Sequence, residues 1–168
     1  HDERGHLETG QIFLFNHFAR FETFIPQYLI YQETGALCRT VAASEFFVDE
    51  SAFSNYLLNI GAVPNNHPRL LPFLAEEILR GRKVIIFPEG GMVKDHRVID
   101  SKGRYNVYSS TAKMMRKQHT GAAVLAQALD AFKSTVLQAR ETGDTRRVEA
   151  WAKALRMDSE EALITAAQ

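Results

Sequence analysis

Short apolar runs alternate with segments of helical periodicity along the first half of the chain. The runs at Gln11–Phe15, Ala36–Ala42 and Lys83–Phe87 are predicted to be strands, because each is short and rich in apolar or β-branched residues. Gly61–Pro64 is predicted to be a further short extended segment that ends in a turn.

Helices are predicted between these strands. The spacing of apolar residues predicts helices over Glu22–Tyr31, which Gly35 stops, and over Pro68–Arg80. Ser51 is predicted to cap a third helix that runs to Leu58. The strand–helix order predicts an α/β fold with a mixed, partly parallel sheet flanked by helices.

The last third of the chain is predicted to be helical. Thr111–Gln138 has apolar residues at helical spacing, and no strand is expected after residue 108. Asp144 or Thr145 is expected to cap a further helix, and Asp158 with Glu161 resembles a capping box that opens one more. We therefore divide the chain into a domain over residues 1–140 and a helical C-terminal extension, or the start of a further module, over 141–168.

Length and composition narrow the class of protein. With 168 residues, 45% hydrophobic and 24% charged, the chain has the composition of a globular domain and not of a disordered one. Its one cysteine, Cys38, excludes an internal disulfide and fits a reducing compartment. No apolar run reaches the roughly 18 residues that span a bilayer, and no signal-peptide pattern opens the chain. A start at His1 is compatible with a piece of a longer protein.

The charge is balanced in total but uneven along the chain. Net charge zero disfavours a generic nucleic-acid binder. Residues 1–91 carry 7 Lys/Arg and 11 Asp/Glu, whereas residues 92–168 carry 13 and 9. The excess is densest between Lys94 and Lys117, which favours an anionic lipid surface, a phosphate group or an acidic carrier as partner. A solvated helix face is the alternative interpretation.

Two groups of residues have the composition of a catalytic site. His17 can lie in the loop before a helix that begins at Glu22, and the two side chains can then form a dyad. In such a dyad the carboxylate orients the imidazole, and the free ring nitrogen accepts a proton from a hydroxyl. A surface histidine beside a helix N-terminal Glu is the alternative. Glu89 is followed by Gly90 and Gly91, whose backbone can approach a ligand closely, although a plain tight turn has the same composition. Both groups follow predicted strands, so we expect them to face one cleft.

The two groups together resemble a known family. Asn16-His17, four residues and Glu22, followed about seventy residues later by Phe87-Pro88-Glu89-Gly90, is similar to the PlsC-type glycerolipid acyltransferases. That family carries Asn-His-(four residues)-Asp and then Phe-Pro-Glu-Gly-Thr-Arg-Ser. The resemblance covers roughly residues 10–130.

The resemblance implies transfer of a fatty acyl group from acyl-CoA or acyl-carrier protein to a hydroxyl, as in phospholipid biosynthesis. It makes His17 the general base, Glu22 its orienting partner, and Glu89 and Gly90 part of acceptor binding. It implies a lipid or glycerol-phosphate-type acceptor, with no metal, no cofactor beyond the thioester co-substrate and no nucleic acid. The expected location is the cytoplasm, at the periphery of an anionic cytoplasmic membrane, and residues 1–140 become the acyltransferase-like domain.

The sequence departs from the family at several positions. Glu22 replaces an Asp, and Gly91 stands where the family usually has Thr. The phosphate-binding Arg of the family's middle block corresponds here to His67. The nearest cationic replacements are Arg69, Lys94 and Arg97. These changes leave open a catalytically altered lipid-binding or regulatory module. A phosphate-ester enzyme that uses Glu89 ranks last, because a metal-binding carboxylate set is missing from the sequence pattern.

Overall fold

A computed structural model of the protein describes residues 4–16, 24–49, 51–89, 107–108, 115–116 and 119–168. The strands in these ranges are β1 (Ile12–Leu14), β2 (Cys38–Ala42), β3 (Ala62–Pro64), β4 (Lys83–Ile86), β5 (Val107–Tyr108) and β6 (Met115–Arg116). The helices are α1 (Arg4–Thr9), α2 (Ile25–Thr34), α3 (Ala52–Asn59), α4 (Leu70–Leu79), α5 (Gly121–Glu141), α6 (Thr145–Ala154) and α7 (Glu160–Ala167), with a 3₁₀ helix at Ser44–Phe47.

Four strands form a parallel sheet in the order β1-β4-β2-β3. β4 lies in its centre, with Val84 opposite Ile12 of β1 and opposite Arg39 of β2. β5 and β6 form a separate antiparallel pair. The predicted α/β fold with helices flanking the sheet is therefore confirmed, and the larger sheet is parallel throughout.

Helices cover both faces of this sheet. Neighbouring residues of β4 point to opposite faces, and both Val84 and Ile85 are fully buried. Ile85 packs with Ile30 of α2 on one face, whereas Val84 packs with Leu74 of α4 and Leu125 of α5 on the other. Burial on both sides explains why β4 reads as a continuous apolar run.

Local signals set most of the element boundaries. α2 ends at Gly35, which has φ +68° and donates its N–H to the carbonyl of Tyr31. The Ser51 hydroxyl accepts a hydrogen bond from the N–H of Ser54, as expected of a helix cap. α4 begins at Leu70 and not at Pro68, because the two residues before Leu70 lie in a turn.

The C-terminal region corrects three predictions. The helix predicted from Thr111 begins at Gly121, and the expectation of no strand after residue 108 is wrong because Met115–Arg116 pair with β5. The capping box at Asp158 is also wrong, since Ser159 caps α7 by accepting the N–H of Ala162.

The last three helices pack together and also contact the sheet domain. Val136 of α5, Val148 of α6 and Leu163 of α7 are buried in one cluster. The guanidinium of Arg80, just after α4, donates from Nε and Nη2 to the carbonyl of Leu155, at 3.0 and 2.6 Å. The division of the chain at residue 140 stays a prediction. The hydrogen bonds of Arg80 connect the segment after residue 140 directly to the sheet domain.

Candidate functional site

The carboxyl ends of β1 and β4 lie side by side. The two strands are parallel neighbours, and the N–H of Phe15 donates to the carbonyl of Ile86 at 3.2 Å, which extends the pairing past β1. Asn16 follows Phe15, and Pro88-Glu89 follow β4. Asn16 and Glu89 are therefore at the same edge of the sheet, where ligands of open α/β folds bind.

Glu89 is unusual at this edge because its carboxylate is buried. The residue is 6% exposed, and its Oε2 atom is the one buried side-chain N or O atom of the described residues without a hydrogen-bond partner. An unpartnered buried acceptor costs about 1–3 kcal/mol, and more when it is charged. Such a group in a folded protein requires an explanation, and a hydrogen-bond donor on a bound ligand supplies one.

The start of α5 lies against the turn that contains Glu89. The backbone N–H of His119 donates to the carbonyl of Pro88 at 2.9 Å, and α5 begins two residues later at Gly121. The His119 side chain is exposed. No sequence motif predicts this neighbour, because thirty residues separate His119 from Glu89 and the contact is made by the backbone.

His67, which the resemblance aligns with a phosphate-binding Arg, and the nearby Arg69 lie after β3. The ring of His67 packs on Phe73 with centroids 5.1 Å apart, and its Nδ1 accepts the N–H of Arg69 at 3.2 Å. The Arg69 guanidinium is exposed and forms an ion pair with Glu76 at 3.1 Å. β3 is two positions from β4 in the sheet, about 10 Å at the usual strand spacing. Arg69 is thus already paired and stands to one side of Glu89.

Six predicted site residues lie outside the described ranges, so their roles stay predictions. They are His17, Glu22, Gly90, Gly91, Lys94 and Arg97. Most of the basic stretch from Lys94 to Lys117 lies outside these ranges as well. His17 directly follows Asn16 in the chain, and Gly90 directly follows Glu89.

Exposed apolar side chains are concentrated in the part of the chain that runs from α2 to α3. Ten of the twelve exposed large hydrophobic side chains among the described residues lie between residues 25 and 58. Examples are Tyr28, Val48 and Phe53, which are 62%, 77% and 52% exposed. Exposed apolar patches of this kind mark contact surfaces for a partner or a membrane.

The described residues include neither a metal-binding cluster nor a membrane-spanning helix. No three His, Cys, Asp or Glu side chains are grouped there so that they could hold a metal ion. No helix of these ranges combines the length and the apolar character needed to cross a bilayer.

Comparison with known proteins leaves the family open. No family model matches the chain, and neither the curated proteins nor the solved structures include a match. The resemblance to PlsC-type acyltransferases therefore stays a prediction that depends on the residues quoted for it.

Proposed function

We propose that the chain is a PlsC-type acyltransferase that moves a fatty acyl group from a thioester to a hydroxyl. The observation that carries the proposal is the buried, unpartnered carboxylate oxygen of Glu89 at the edge of the sheet that also holds Asn16. The motif that begins at Asn16 follows β1, and the motif that contains Glu89 follows β4, which is the neighbouring strand.

In the proposed reaction the imidazole of His17 removes the proton from the acceptor hydroxyl, and Glu22 stabilises the imidazolium that forms. The hydroxyl oxygen attacks the thioester carbonyl carbon and forms a C–O bond. The C–S bond then breaks, and the departing thiolate takes the proton from His17. The products are an ester and a free thiol, so no other reactant is needed. Because a thioester is already activated, a positioned hydroxyl and a base are a sufficient catalyst.

Glu89 is proposed to bind the acceptor, with its free oxygen accepting a hydrogen bond from an acceptor hydroxyl. A donor there would remove the cost of burying an unpartnered carboxylate, so binding at this position is favoured by the protein's own energetics. Gly90 and Gly91 would let the acceptor approach the backbone.

The exposed apolar side chains between residues 25 and 58 support a position at a membrane. A lipid acceptor and a fatty acyl chain both partition into bilayers, and exposed apolar and aromatic side chains bind at the bilayer interface. We propose peripheral binding through Val48, Phe53 and the exposed apolar side chains near them, together with the basic stretch from Lys94 to Lys117.

A lipid-binding or regulatory module that has lost catalysis is the second candidate. The arrangement around His67 favours it, because the ring packs on Phe73 and the nearby Arg69 is paired with Glu76. Neither side chain is then a free phosphate clamp.

An assay of ester formation separates the two candidates. The purified chain is mixed with acyl-CoA or acyl-carrier protein and with glycerol 3-phosphate, a lysophospholipid or a neutral alcohol, and esters are measured by mass spectrometry. We expect an ester from at least one combination of donor and acceptor. The rate of ester formation should be at least about 100-fold lower in His17→Ala. His6→Ala, which changes an exposed histidine of α1, is the matched control and keeps full activity.

Two results would contradict the proposal. Full activity in a folded His17→Ala variant would show that His17 is not the general base. Tight lipid binding without any ester product favours the regulatory module instead.

A further inference from the structure

A cavity of about 310 Å³ lies beside β2, between α2 and α3. Aromatic residues from both helices line it, namely Phe24, Tyr28, Tyr31 and Tyr56. This volume is within the range of small-molecule sites, which are mostly apolar with a few polar groups. The wall also includes two cations, Arg39 and Arg82.

The two arginines belong to a cluster around one buried carboxylate. Oε2 of Glu77 lies 2.5 Å from Nε of Arg39 and 3.0 Å from Nε of Arg82, and Oε1 lies 3.1 Å from Nη1 of Arg80. Burial raises the pKa of Glu77, but Arg39, Arg82 and Arg80 lower it below its ordinary value overall. Glu76 also lies 3.9 Å from Nη2 of Arg80, which is outside the cavity, so the two arginines that line the wall share the one carboxylate of Glu77 and leave an excess of positive charge there.

Hydrogen-bonding capacity remains on these guanidinium groups. In the part of the chain that the structure describes, the Nη atoms of Arg39 and Arg82 make no hydrogen bond. Nη1 of Arg39 lies within 3.8 Å of where a Cβ of Gly61 would be, and Gly61 is itself part of the wall. A guanidinium with free Nη atoms is a strong donor for phosphate oxygens.

The position of the cavity adds a constraint on length. Arg82 comes just before β4 and Glu89 just after it, so about 20 Å of strand separates the cationic wall from the candidate site. Phe24 lines the same cavity from the start of α2, nearer the carboxyl ends of the strands. A ligand that joins both places needs an anionic end with a flat ring, a long thin linker and a reactive group.

We propose that this cavity binds the nucleotide end of a coenzyme A thioester, with its phosphates on Arg39 and Arg82 and its adenine among the tyrosines. The inference rests on the proposed acyl transfer and selects acyl-CoA as donor. An acyl-carrier protein has the same pantetheine arm but no adenine nucleotide, so it gains nothing from this cavity.

Binding of free ligands tests the cavity without any catalysis. Isothermal titration of the whole chain with coenzyme A, adenosine 3′,5′-bisphosphate, pantetheine and inorganic phosphate compares the parts of the donor. We expect the first two ligands to bind and to compete with each other, and pantetheine to bind at least about 10-fold more weakly than coenzyme A. Competition by phosphate alone, as strong as that by the bisphosphate, would overturn the role of the tyrosines.

Variants locate the site. Arg82→Gln should weaken coenzyme A binding about 10- to 100-fold, because it removes one charged donor. Tyr28→Ala, which changes a 62% exposed side chain, should weaken it about 5- to 10-fold without affecting the fold. Arg80→Gln is the matched control, since Arg80 pairs with the same Glu77 but does not line the cavity, and its affinity should stay within 2-fold of the parent.

The failure of this inference is distinguishable from failure of the acyl transfer. Equal KM values for acyl-CoA and acyl-pantetheine, with active Arg82→Gln and Tyr28→Ala variants, would contradict nucleotide binding in the cavity. The proposed acyl transfer would be unaffected by that result. The opposite result is that the parent chain binds coenzyme A, both variants lose this binding, and the parent chain forms no ester. It would support nucleotide binding in the cavity and contradict the acyltransferase activity.

Discussion

Replacement of Glu89 by an apolar residue should stabilise the protein while it removes the activity. The Glu89 side chain is 6% exposed and its Oε2 is unpartnered, so the folded state bears a desolvation cost of about 1–3 kcal/mol. Methionine has a similar size and no such requirement, so Glu89→Met should raise the free energy of unfolding by about that amount. For a chain of this length, each kcal/mol corresponds to roughly 2–4 °C in Tm.

Urea unfolding followed by circular dichroism measures the stability, and ester formation measures the activity. We expect a higher urea midpoint with at least a 100-fold lower rate, as found where a functional site is held at a cost in stability. Glu149→Gln, at an exposed position of α6, is the control and should change stability by less than about 0.5 kcal/mol. A Glu89→Met variant that is less stable by more than about 1 kcal/mol and still active would show that Glu89 has a structural role.

The fold makes further predictions. The pKa of Glu77 in the folded protein is lowered below its ordinary value of 4.5. At pH values above 4.5 the ion pairs of Glu77 therefore stabilise the protein, and this stabilisation is lost as the pH falls below 4.5. Urea midpoints measured between about pH 3 and 6 should therefore drop more steeply in the parent than in Glu77→Gln, and parallel curves would contradict this. Lys83→Met should cost about 2–3 kcal/mol in the same urea assay, because the ammonium donates to the carbonyls of Leu7, Glu8 and Gly10. Burial, opposed only in part by Lys83, raises the pKa of Cys38 to about 11, so its alkylation by iodoacetamide near pH 8 should require unfolding. Fast alkylation of the folded chain would show that the thiol is accessible.

Elements with strong local signals are the ones that the sequence predicts well. Gly35 ends α2 with a left-handed backbone and Ser51 caps α3, and both are recognisable from residue type and position alone. Ser159 was missed because its neighbour Asp158 is an equally good cap by type, and only the backbone geometry selects between them. The central position of β4 in the sheet depends on crossover connections, which local patterns do not encode.

The position of Glu89 at a strand end is predictable from the sequence, but its surroundings are not. Glu89 was expected at a strand end because a turn sequence follows an apolar run. Its burial, the approach of His119 and the pairing of Arg69 with Glu76 all depend on tertiary packing. In the arginine cluster at Glu77, Arg39 is 38 positions away from the carboxylate that it binds, so no motif spacing reveals the cluster.

The central claim is that His17 and Glu89 act on the same acceptor molecule, His17 on its reacting hydroxyl and Glu89 on a second hydrogen-bond donor. A double-mutant cycle of kcat/KM for ester formation, with His17→Ala, Glu89→Gln and the double variant, tests it most directly. Two groups of one catalytic unit give strongly non-additive losses, so the double variant should be no more than about 10-fold slower than the slower single variant. Losses that multiply in full, or a single variant that keeps the parent rate, would contradict the account.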